Sequence, residues 1–228
     1  MRIYSLSDIG VRRRENQDNY WSAILNVDGE EVGTICLCDG MGGLKDGGLA
    51  SKIVVQTVKD YAMDNTEFIN LLSALEEANS KIRGVSAENN SMMGTTCTVV
   101  YCKNGVYELY HIGDSRAYLM NSNGMLQLTE DHSAIKKYNI IKEEEPELWN
   151  KMKNKLTRCI GVKEQIAPCY YRGEYKEGDS FLLCSDGFWH YLDDHKIDYV
   201  DPKKFGQLVN SCIEEGETDN ITVCMLVV

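Results

Sequence analysis

The chain has 228 residues and carries 24 Lys and Arg against 35 Asp and Glu, a formal net charge of −11. That length suits a single domain, residues 1–228, and 43% apolar residues are enough for a sizeable core. The negative field disfavours nucleic acid and anionic membrane surfaces as partners, no run of about 18 apolar residues offers a membrane span, and the opening segment lacks the apolar centre of a secretory signal, so a cytoplasmic location is expected.

Taken in order, residues 1–8 and 19–25 read as strands. Residues 34–38 form a short apolar strand that stops at Asp39-Gly40-Met41-Gly42-Gly43. Apolar residues at a spacing near 3.6 predict helices over 47–61 (Leu49, Ile53, Val54, Val58) and 67–83 (Phe68, Leu71, Leu72, Leu75, Ala78, Ile82). Strands follow at 95–102, 106–112 and 117–121, with hairpin turns at Asn104-Gly105 and Asn123-Gly124. The charged stretch 133–156 reads as a helical insertion lying on the surface. Strands are predicted again at 166–175 and 180–184, then a helix over 202–214 and a closing strand over 221–228. This order predicts an α+β fold of antiparallel sheets with helices packed outside. The nine cysteines form no CxxC pair and sit mostly in apolar runs, so they read as reduced, buried small hydrophobes.

Four aspartates share one local setting. Asp39 and Asp186 each end a strand and precede glycine, Asp219 precedes the closing strand, and Asp18 sits in Asn-Gln-Asp-Asn just before another. An Asp-Gly step is by itself an ordinary turn. Several at converging strand ends would crowd their carboxylates, and divalent cations relieve that repulsion. Hard oxygen donors without a nearby His and Cys set favour Mg²⁺ or Mn²⁺ over Zn²⁺.

Eight segments carry a resemblance that runs nearly end to end: GVRRRENQD (10–18), CDGMGG (38–43), MGTT (93–96), HIGDSRAYL (111–119), LTEDHS (128–133), LTRCIG (156–161), LLCSDGF (182–188) and DNIT (219–222). In this order they resemble the protein phosphatase 2C (metal-dependent, PPM) family in its bacterial form. The resemblance implies a four-layer α-β-β-α sandwich, with metals in the cleft between the sheets at one edge. It implies two or three Mn²⁺ or Mg²⁺ ions: Asp39 bridging two, the Gly40 carbonyl completing one, Asp186 and Asp219 holding the other, Asp18 acting through water, and Asp131 holding a third that Asp186 shares. Arg13 is implied to bind the phosphate, and a hydroxide bridging the metals to attack phosphoserine or phosphothreonine directly. Residues 133–156 correspond to a flap beside the cleft, with substrate docking as its role. Phosphorylated proteins are the implied substrates of a monomer, with a Ser/Thr kinase acting in opposition.

The chain departs from the family's animal members at Gln17, where Glu is frequent, and at Met41, where a candidate acid His stands. A water held at Asp131 is then the expected proton source. His111 and His132 read as structural, Asp114 and Arg116 as a local ion pair, and Thr95 and Thr96 as strand packing. No cysteine has an Arg six residues later, and neither Asp-x-Asp nor Gly-x-Ser-x-Gly occurs, which removes three other hydrolase chemistries. Two alternatives stay open: an inactive phosphoprotein-binding relative, and a phosphatase dedicated to a stress or sporulation regulator.

Overall fold

The computed structural model describes residues 1–41, 46–64 and 70–228. In chain order its elements are β1 (Arg2–Asp8), β2 (Asp18–Val27), β3 (Glu30–Asp39), α1 (Gly47–Asp64), α2 (Leu71–Glu88), β4 (Cys97–Lys103), β5 (Val106–Ile112), β6 (Arg116–Asn121), β7 (Gly124–Gln127), α3 (Ala134–Tyr138), α4 (Pro146–Met152), β8 (Cys169–Glu174), β9 (Ser180–Cys184), α5 (Asp186–Asp194), α6 (Phe205–Glu214) and β10 (Ile221–Val227). The strands form two five-stranded sheets, ordered β1-β10-β9-β6-β7 and β2-β3-β4-β5-β8. Every described pairing is antiparallel.

Side-chain alternation explains the layering. Along β3, Ile35 and Leu37 join the cluster between the sheets, while Cys36 and Cys38 face α1 and α2. Along β10, Cys224 and Leu226 face the other sheet, and Ile221, Val223, Met225 and Val227 face α5 and α6. A strand buried on both faces needs an unbroken apolar run, and these strands have one. Three clusters thus fill three interfaces, giving helices, sheet, sheet and helices as four layers. The cysteines are all free, and seven of the nine are buried.

The boundaries differ from expectation for local reasons. Helix α2 starts later than predicted, where Asn70 Oδ1 accepts the Ser73 amide at 3.1 Å; Phe68 lies outside the described residues. Its buried face is Leu71, Ala74, Leu75, Ala78 and Ile82, which leaves Leu72 exposed. In α1 Ala50 is buried, and Leu49, expected inside, faces out. The strand predicted over 166–175 begins only after Pro168, which has no N–H for a ladder. The prediction missed α5 altogether, because Asp186-Gly187 was read as a turn.

The insertion carries α3 and α4 and is pinned at its base. Ser133 and Leu156 form an isolated antiparallel bridge, the Ala134 amide donates to the Lys155 carbonyl at 2.7 Å, and the Thr157 amide to the His132 carbonyl at 2.7 Å. Ser133 Oγ caps α3 by accepting the Lys136 amide at 3.2 Å, and Pro146 opens α4 at a position where no N–H is required.

Candidate metal centre and active site

The site begins where β2 and β3 run out together. Asp18 and Asp39 are direct partners across that pair. Asp39 is gripped through its backbone: its amide donates to Thr96 Oγ1 at 2.8 Å, and its carbonyl accepts from the Thr96 amide at 2.9 Å and from Thr95 Oγ1 at 2.8 Å. These threonines were expected only to pack. They leave the β4 ladder to hold Asp39 instead, and they do so from fully buried positions. The next residue, Gly40, donates to the Gln17 carbonyl at 3.1 Å. A Cβ here would lie 2.4 Å from the Gly47 carbonyl oxygen and 2.6 Å from that of Gln17, so only glycine lets β3 leave the sheet between the start of α1 and the loop before β2. Gly42 and Gly43 of the same motif lie outside the described residues.

The second sheet supplies the facing carboxylates. Asp186 follows β9 and occupies the first turn of α5. Asp219 precedes β10, and the adjacent Asn220 organises the loop opposite. The Asn220 side chain accepts the Gln17 amide at 2.9 Å and donates to the carbonyls of Ile9 at 2.9 Å and Glu15 at 3.2 Å. Gly10, at φ 71°, brings that loop so close that a Cβ would sit 2.0 Å from the Asp219 carbonyl oxygen. One 4%-exposed amide side chain thereby fixes Arg13 and Asp18 relative to Asp219. Arg13 forks Asp219, with Nε at 2.7 Å from Oδ1 and Nη2 on Oδ2. The guanidinium also feels the charges of Asp186 and Asp39.

Electrostatics identify what the cluster lacks. Asp18 is 6% exposed, and among the described residues neither carboxylate oxygen has a hydrogen-bond partner. The nearby hydroxyls of Thr222 and Ser185 favour its charged form, yet they bond elsewhere, to Ser7 Oγ and to the Asn220 and Thr222 carbonyls. Burial pushes the Asp18 carboxyl up to about 6. Burial also raises Asp39 well above the ordinary carboxylate range, followed by the charges of Asp18, Asp186, Asp114 and Asp219. Asp186 moves the same way, by burial and then by Asp114, Asp219 and Asp18. A helix N-terminus favours an anion by about 0.3–1 kcal/mol, too little to offset that crowding. Hard oxygen donors, an orphaned buried carboxylate and mutual repulsion are the surroundings that divalent cations complete.

The structure departs from expectation around Arg116. This residue does not pair with Asp114. Its guanidinium forks Asp131 (Nε to Oδ1 3.0 Å, Nη2 to Oδ2 2.9 Å), reaches Asp193 at 2.9 Å, and lies 3.6 Å over the Trp189 ring. Asp131, expected to anchor a third ion, therefore has both oxygens engaged by an arginine. The carboxylate that acts on Asp39 and Asp186 from this side is Asp114, itself raised to about 7 by burial and then by Asp131. Asp131 stands one carboxylate further out. The two histidines take structural places. His111 Nε2 meets the Glu130 carbonyl at 3.1 Å and Nδ1 meets Thr98 Oγ1 at 3.0 Å, while His132 Nδ1 accepts the Gly113 amide at 3.1 Å.

Comparison with known proteins gives the family and the fold. The family model described as protein phosphatase 2C matches residues 11–222. Protein phosphatase PhpP of Streptococcus pneumoniae is 33% identical over 242 residues, covering 99% of this chain and 97% of its own. The crystal structure of the serine/threonine phosphatase Stp1 from Staphylococcus aureus superposes with a TM-score of 0.85 at 26% identity, covering 99% of this chain and 94% of that one. The Mycobacterium tuberculosis serine/threonine phosphatase PstP/Ppp gives a TM-score of 0.78 at 26% identity, covering 98% and 97%. With a family match over nearly its whole length, the sandwich fold and a convergent aspartate cluster at the sheet edge, the chain belongs to the protein phosphatase 2C family of phosphoprotein phosphatases.

Proposed function

We propose that the chain hydrolyses phosphoserine and phosphothreonine on proteins by a divalent-metal-dependent route centred on Asp39. One observation carries the reading: Asp18 and Asp39 are cross-strand partners at the sheet edge, both oxygens of buried Asp18 lack a hydrogen-bond partner among the described residues, and the charges of Asp18, Asp186 and Asp114 bear on Asp39 beside Arg13. Asp18, Asp39 and Asp186 would hold Mn²⁺ or Mg²⁺, with the Gly40 carbonyl and Asp219 as further donors. Asp114 takes the place that the sequence reading gave to Asp131. When bound, such ions supply positive charge that acidifies water toward neutral pH and offsets the charge growing on phosphoryl oxygens.

The chain's own residues do the positioning. Thr95 and Thr96 fix the backbone of Asp39, so its carboxylate meets the centre from one direction. Asn220 fixes the loop that presents Arg13. A guanidinium fork suits two non-bridging phosphate oxygens, and an arriving phosphate would compete with Asp219 for it. A Ser/Thr kinase acting in opposition, a cytoplasmic setting and a monomeric state complete the reading.

The test is phosphate release from a phosphothreonine peptide in Mn²⁺ and in EDTA, for the native chain, Asp39→Ala and Asp186→Ala. Activity should require the metal and fall at least about a hundredfold in either variant, the scale of losing a principal electrostatic group. Release that persists in EDTA, or in both variants, would refute the mechanism.

A further inference from the structure

A cleft of about 670 Å³ opens on one side of the centre, between the pinned insertion and residues 157–169. Met41, two residues past Asp39, lines its inner end, and Met92, Leu156 and Val162 add apolar surface. Its charged lining is unlike the rest of the molecule. Lys136, Lys137, Arg158 and Lys163 line it, and against them stand only Glu130 and Asp131, the latter already held by Arg116. Among the described residues none of the four cations is in an ion pair, in a chain whose net charge is −11.

Arg158 is tethered without being neutralised: its Nη1 donates to Cys169 Sγ at 3.6 Å. The Gly113 amide donates to His132 Nδ1, so the imidazole proton belongs on Nε2, which faces Cys169 Sγ at 3.3 Å. Arg158 Nη1 lies 3.3 Å from that same Nε2 and finds no acceptor there. Lys136 and Lys137 ride on α3, whose start is tied down by the Ser133 cap and the Ser133–Leu156 bridge. The other side of the centre is of mixed sign: Glu217 and Asp219 both raise Asp186, and the loop of Arg12, Arg13 and Arg14 lies beside them, with Arg13 paired to Asp219.

We propose that this cleft seats the substrate polypeptide on one side of the phosphorylated residue and selects acidic side chains, Asp or Glu, at the flanking positions. The inference rests on the phosphatase reading and adds a substrate class to it. The apolar lining accepts the backbone and stems of an extended segment, and the cations meet its carboxylates. Screening over about 8 Å at physiological ionic strength keeps the rim cations local, so they act despite the acidic whole. The preference should be stronger on the cleft flank, because the four cations there are in no ion pair among the described residues whereas Arg13 on the other side already holds Asp219.

The experiment compares phosphothreonine peptides bearing three Glu or three Lys on the N-terminal or on the C-terminal flank, with para-nitrophenyl phosphate as a substrate that cannot reach the cleft. On the flank that enters the cleft, Glu should lower KM about tenfold relative to Lys, since three exposed pairs each contribute a factor of about two, and by less on the other flank. The gain should shrink as salt rises. Lys136→Ala/Lys137→Ala/Lys163→Ala should bring the two KM values within about twofold of each other, at unchanged para-nitrophenyl phosphate turnover. Lys163→Ala alone, in a loop, should give part of that effect if the triple variant folds poorly. Equal KM for Glu and Lys peptides on both flanks, or a preference that survives the triple variant, would overturn the proposal. Loss of para-nitrophenyl phosphate turnover in the native chain with Mn²⁺ would instead sink the phosphatase reading, and this inference with it.

Discussion

Replacing Asp18 with Asn should stabilise the protein in EDTA at neutral pH. In the folded chain the Asp18 carboxyl sits at about 6, against an ordinary value of 3.8, chiefly because burial disfavours its charge. A difference of about two pH units corresponds to about 3 kcal/mol. The sign follows from proton binding. Below the unfolded value both states hold the proton, and the residue contributes no penalty. As pH rises toward the folded value, the unfolded chain has already released its proton while the native one keeps it, so stability falls and the full penalty is present above about 6. Asn keeps the shape and removes the charge. For a domain of this size about 3 kcal/mol corresponds to roughly 6–12 °C in melting temperature. Calorimetry in EDTA should therefore show the variant melting higher than the native chain at about pH 7, with the gap closing toward about pH 4. Saturating Mn²⁺ should reverse the order, because the native carboxylate then gains its counter-ion and Asn cannot supply one. A gap that stays constant across that pH range, or is absent in EDTA at neutral pH, would refute the reasoning.

Thr96→Val removes the acceptor of the Asp39 amide and the contact with Ser115 Oγ at 2.8 Å; it should cost about 1–3 kcal/mol in chemical denaturation and lower kcat, and Thr96→Ser should restore both. Gly40→Ala places a methyl 2.4 Å from a backbone oxygen, so β3 must shift; urea titration should show a loss of about 1–3 kcal/mol or more, together with loss of Mn²⁺-dependent activity. Arg116→Ala strips Asp131 of its partner in a pair whose side chains are 12% and 16% exposed; a loss of about 3–5 kcal/mol is expected, measured as a lower denaturation midpoint.

How far the sequence could be read depends on the range of the interactions. Asp39 was legible because the cause is local: an unbroken apolar run ends at glycine, which places a carboxylate at a sheet edge. The motifs around Asp18, Asp186 and Asp219 extended that to the other strand ends. Helix α5 was missed although a signal was present, since Ser185 stands at the cap position and Phe188 and Leu192 lie four apart on its buried face. The surroundings of Asp114 and Asp131 were not legible. Asp114-Ser115-Arg116 looks like a local pair, but β6 begins at Arg116, and alternation turns Arg116 to the same face as Tyr118 and Met120, toward α5. There it meets Trp189, Asp193 and Asp131, whereas Asp114 stays in the bend and faces the centre. Residue spacing could not reveal this, because the partners of Arg116 come from two other parts of the chain, α5 and the loop at Asp131.

The distribution of arginines then sets the demand for cations. Arg116 is shared between Asp131 and Asp193, and Arg13 pairs with Asp219. Among the described residues, Asp18, Asp39, Asp114 and Asp186 are left with no hydrogen-bonded cation, and each is pushed upward by burial and by its neighbours. Four carboxylates in one low-dielectric corner cannot all ionise at pH 7 unaided. Divalent cations would offset that charge, and each carboxylate left without a hydrogen-bonded arginine adds to the demand for them, which is the physical ground of the metal-dependent reading proposed above.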